Sequence, residues 1–163
     1  MGESGEFAGK ITPLRLAEDR QRAERIRDVV DAFARLRGSV SRFVAMLARD
    51  AGTVSSVDMT AQQPFLMLLA SLRSHAQKAK FGRLRELNRV IERAMSAEAH
   101  RDVIFMQSPL ASEAALHDAA TALERLDAAL IGLCVKHVLA CHARTGLPAT
   151  ATAAAATRAA VTA

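Results

Sequence analysis

The 163-residue chain contains no tryptophan, no tyrosine, six phenylalanines, four prolines and two cysteines. Strands draw on aromatic and β-branched residues, so this poverty in a chain rich in alanine, leucine and arginine argues against a sheet and for an all-α fold. Two cysteines are too few for a disulfide framework. The longest apolar run, PFLMLLASL from Pro64 to Leu72, is half of the ~18 to 20 residues that cross a bilayer, so no transmembrane segment is expected. The opening MGESGEFAGK lacks the basic and apolar regions of an export signal. With two thiols, this gives a reducing compartment, cytoplasm or nucleus, as the expected setting. No phosphate loop, His-Glu-x-x-His pair or nucleophile elbow occurs, and the expectation is a non-enzyme without cofactor.

What is present is helical periodicity. Ile26, Val29, Phe33, Leu36, Val40, Phe43 and Leu47 follow one another in steps of three and four, one continuous apolar stripe on a helix. Thr12 and Pro13 suit its start, and the stretch from Asp50 through Gly52 and two serines suits its stop, giving a first helix from Pro13 to Arg49. A second segment opens at Thr60, which has capping-box spacing to Gln63, with Pro64 in the first turn. Its stripe is Phe65, Leu68, Leu72, His75 and Ala79, then Leu84, Leu87, Ile91 and Ala94 after a skipped beat near Gly82, where a kink is expected. The third segment, capped by Ser108 and Pro109, carries Leu116, Ala120, Leu123, Leu126, Leu130, Leu133, His137 and Ala140, and ends at Gly146 and Pro148. Asp102 to Met106, DVIFM, reads as an extended link in which Ile104 and Phe105 close one end of the core.

Three segments of similar reach predict an elongated up-down-up three-helix bundle; the alternative is a four-helix bundle in which the middle helix splits near Gly82. Residues 1–12 are then a flexible N-terminus, 13–146 the helical bundle domain, and 147–163 a low-complexity Ala/Thr tail expected to be disordered.

Both cysteines lie in LCVKHVLACHARTG, Leu133 to Gly146. On one helix, Cys134 and Cys141 are about 10 Å apart, too far for a disulfide. Haem attachment of the c type needs Cys-x-x-Cys-His, which this spacing does not give. For a metal, the candidates are His75, Cys134 and His137, because an antiparallel second helix sets His75 near the height of Cys134. The reading preferred here is packing: a buried thiol behaves as a small hydrophobe, and a histidine on an apolar stripe is usually a hydrogen-bonded core residue.

The charge is uneven. All but four of the 22 basic residues are arginines, the lysines being Lys10, Lys78, Lys80 and Lys136, and the formal net charge is +5. Lys78, Arg85, Arg89 and Arg93 share an arc opposite Leu84, Leu87 and Ile91, and the region from Arg73 to Arg93 holds seven bases against Glu86 and Glu92. The third segment is acidic, so a basic side and an acidic side suit either a partner or mutual attraction between helices 2 and 3. The resulting expectation is an adaptor, regulatory or assembly subunit that binds a protein partner, or itself, through charged helix surfaces. The alternative is a nucleic-acid-binding protein that uses the basic arc.

Overall fold

The computed structural model describes residues 8–52, 63–106 and 112–145. They form four helices and no strand: α1 (Ala8–Asp50), α2 (Phe65–Lys78), α3 (Leu84–Met106) and α4 (Glu113–Thr145). The all-α expectation therefore holds, and the middle segment is two helices instead of one kinked rod.

The stripe of α1 is the spine of the core. Val29, Leu36, Val40, Phe43 and Leu47 are buried, and Ile26 and Phe33 pack against them half-exposed. Opposite lie Phe65, Leu68 and Leu72 of α2, Leu87, Ile91 and Ala94 of α3, and Leu116, Leu123, Leu126, Leu130 and Leu133 of α4. Burying one such side chain contributes roughly 1.5–3 kcal/mol, so this set holds the helices together. Burial extends past the single seam to Ala32, Val44, Leu69 and Ala76, as expected of helices that touch more than one neighbour.

Cross-helix pairs fix the directions. Gln21 meets Glu113, Arg35 meets Glu124, Met46 meets Cys134 and Asp50 meets His137, so α1 and α4 run parallel. Phe33 stacks edge-on against Phe65 at 4.9 Å and Phe43 against Phe81 at 5.7 Å, which sets α2 in the same sense. Arg37 also donates through Nη2 to the Gln63 carbonyl. Arg73 pairs with Glu92 at 3.7 Å, and Leu66 and Leu69 share a groove with Ile91 and Met95, so α3 doubles back along α2. The first and last helices are parallel, as in the up-down-up expectation, but α2 also runs parallel to α1 where that order has it antiparallel, and only α3 runs the other way; the hairpin between them is the alternative split of the middle segment.

The split has a local cause. The Lys80 N–H donates to the Gln77 carbonyl and the Phe81 N–H to the Ala76 carbonyl, while Lys80 takes a left-handed φ of 51°. This is a Schellman ending, which satisfies the last carbonyls of α2 and turns the chain. Phe81, 5% exposed, then plugs the core under the turn.

Other boundaries differ from expectation. α1 begins at Ala8, so Thr12 and Pro13 lie inside it; one proline near a helix start removes one backbone bond and does not end the helix. DVIFM is the last part of α3 and not an extended link, because continuation of a packed helix outweighs the strand preference of Val103, Ile104 and Phe105. The cap of α4 is Ser112, whose Oγ accepts from the Ala115 N–H at 3.2 Å. Thr60, Ser108, Pro109, Gly146 and the 147–163 tail lie outside the described residues.

α4 corrects the reading of hydropathy. An 18-residue window within Glu113–Arg144 has a mean hydropathy of 1.4, and α4 is by length and composition apolar enough to cross a membrane, although no unbroken run is. The helix reaches this value by carrying two apolar faces. One is the buried leucine stripe; the other is Ile131, Val135 and Leu139, which are 45%, 51% and 63% exposed.

Candidate functional site

Lys78, Arg85, Arg89 and Arg93 are all exposed, and the three arginines recur every fourth residue on the side of α3 away from buried Leu87 and Ile91. Two acids of α4 are engaged by α1: Glu113 accepts from Gln21 and Glu124 pairs with Arg35. The acids of α3 turn elsewhere too, Glu86 to Arg83 at 2.8 Å and Glu92 to Arg73. Among the described residues, none of the four cations of the arc takes part in an ion pair. A separate groove of about 240 Å³ runs between α2 and α3, lined by Leu66, Leu69, Arg73, Gln77, Ile91 and Met95 and by none of the four cations. Leu66 and Met95 are 49% and 45% exposed there, and Met67 of α2, outside that lining, is 59% exposed.

The histidine and cysteine residues sort differently from expectation. His137 is buried, as its stripe position predicts, and its ring lies 5.0 Å from that of Phe81. Its Nε2 is 2.9 Å from Oδ2 of Asp50 and 3.6 Å from Sγ of Cys141. Cys134 points toward α1, its Sγ 3.6 Å from Sδ of Met46. Burial pushes the Cys134 thiol above its ordinary value of 9.0, and the nearby Arg42 guanidinium partly opposes this. Cys134 therefore behaves as a packing residue. His75 is half-buried with Nδ1 shielded and without a hydrogen-bond partner. His75 and Cys134 belong to no converging set of donors among the described residues; the one such set is Asp50, His137 and Cys141.

Asp50 escaped the sequence reading. A usable signal existed: in an up-down-up order the first and third helices are parallel, so the final residue of helix 1 meets the final turns of helix 3. Matching heights across helices 2 and 3 selected His75 instead.

No family model matches this chain, no curated protein matches its sequence and no solved structure matches its fold.

Proposed function

We propose that this chain is a non-catalytic interaction protein on a four-helix scaffold, an adaptor, regulatory or assembly subunit. Its partner is a protein segment that is acidic on one side and apolar on the other, and it docks on the outer surface of the α2–α3 hairpin. The observation that carries this reading is the row of Arg85, Arg89 and Arg93 on α3, with Lys78 at the end of α2, all exposed and in no ion pair among the described residues. Charges left open in this way raise encounter rates and select partners of opposite sign. The groove on the same hairpin supplies what charge alone does not: binding energy concentrates in apolar anchors that leave water, and a flexible methionine such as Met95 suits such a surface.

Nucleic acid is the competing ligand of the same arc. Protein and nucleic acid are separated by cross-linking in nuclease-treated host extract with wild type and the Arg85→Glu/Arg89→Glu variant, followed by mass spectrometry. The reading predicts cross-links from an acidic protein segment to the α2–α3 hairpin that survive nuclease and are lost in the variant. Loss of all partners on nuclease treatment, with gel shifts that weaken steeply as salt rises, would establish the nucleic-acid reading instead. Cross-links unchanged by charge reversal would contradict both.

A further inference from the structure

We infer that Asp50, His137 and Cys141 form a site for a divalent transition-metal ion, with zinc the best chemical match, where α1 and α4 end side by side. The site is independent of the α2–α3 hairpin surface.

The donor set is oxygen, nitrogen and sulfur, and one ligand atom from each residue lies within 4.8 Å of the other two. Carboxylate, imidazole and thiolate together are the ligands of zinc and its neighbours, and poor ligands for magnesium or calcium. Tetrahedral zinc, bound at about 2.0–2.3 Å from each donor, would hold those donors roughly 3.3–3.6 Å apart. The 3.6 Å between His137 Nε2 and Cys141 Sγ already has this span, and the 2.9 Å to Asp50 Oδ2 needs to open by only a few tenths of an ångström. His137 and Cys141 are one turn apart on α4, which fixes their spacing rigidly. Asp50 is the last residue of α1, and its side chain is 40% exposed, so it has the freedom to adjust.

Position favours a cation as well. Because α1 and α4 run parallel, both present their C-terminal, partially negative ends at this corner of the molecule. Arg144 acts against the ion, but its Nη2 donates to Cys141 Sγ at 3.3 Å and so helps to hold that donor in place. Three protein donors leave a fourth position for water or an outside ligand, the open type of site. A cleft of about 250 Å³ adjoins the cluster, lined also by Met46, Val138 and His142, and has room for that ligand. Binding displaces the Cys141 thiol proton to solvent and uses the His137 Nε2 lone pair.

Cobalt(II) titration of the full chain, followed by zinc competition, tests the site. The expected result is one cobalt per chain with a thiolate-to-cobalt charge-transfer band in the near ultraviolet, abolished by zinc. Cys141→Ser removes the band, Cys134→Ser and His75→Gln keep it, and Asp50→Asn lowers affinity at least about tenfold, with circular dichroism checking that each variant folds. A wild-type chain that takes up neither metal stoichiometrically would overturn the site, as would a band that persists in Cys141→Ser or disappears in Cys134→Ser.

Discussion

Lys80 is the one non-glycine residue with positive φ among the described residues, and the hairpin turns on it. A left-handed conformation costs an L-residue roughly 1–2 kcal/mol, whereas glycine adopts it freely at some entropic expense. Lys80→Gly is therefore expected to raise stability by about 0.5–1 kcal/mol in urea unfolding. Gly82, two residues on, has no left-handed φ, and a Cβ built there meets nothing within 4 Å, so Gly82→Ala leaves the fold intact. The reverse ranking of the two variants would show that the turn is built differently. This also explains what was legible at this scale. The skipped beat near Gly82 located the break to within a few residues, but a lysine at the position where glycine usually sits concealed its form. The buried stripe residues were legible because a heptad pattern states its own inward face. The role of Asp50 was not, since it depends on which helix ends meet.

Among the elements, the α2–α3 hairpin depends most on a single side chain. Phe81 joins the turn to α1 through Phe43 and to α4 through His137. Phe81→Ala removes both ring contacts of the turn at once, and buried aromatic truncations cost about 3–5 kcal/mol. The expected outcome is a loss of that size in denaturant unfolding, with hydrogen exchange fastest over residues 76–88. A loss below about 1 kcal/mol, or exchange confined to other elements, would mean that the hairpin is held by its grooves and not by this plug. The division of the middle segment into two helices was legible only as the alternative, but the helical type of each segment could be read from the sequence, because long periodic segments declare themselves. Their ends could not: Ser112 takes the capping role expected of Ser108, and α3 runs through DVIFM, since a cap or a strand-prone run is a local preference that neighbouring packing overrides.

For the molecule as a whole, the sequence places a basic side against an acidic one without saying whether they face each other. The fold answers by direction. With α1 and α4 parallel and in contact from Gln21–Glu113 to Asp50–His137, Glu113 and Glu124 of α4 are engaged by α1, and Arg85, Arg89 and Arg93 of α3 are exposed. Charge that contributes nothing to holding the helices together is available for a partner, and this is the central claim. Denaturant unfolding of Arg85→Glu/Arg89→Glu tests it most directly. An unneutralised, outward arc predicts an unfolding free energy within about 0.5 kcal/mol of wild type, the range of ordinary surface substitutions. A loss well beyond about 1 kcal/mol would show that these arginines hold the fold and would contradict the account.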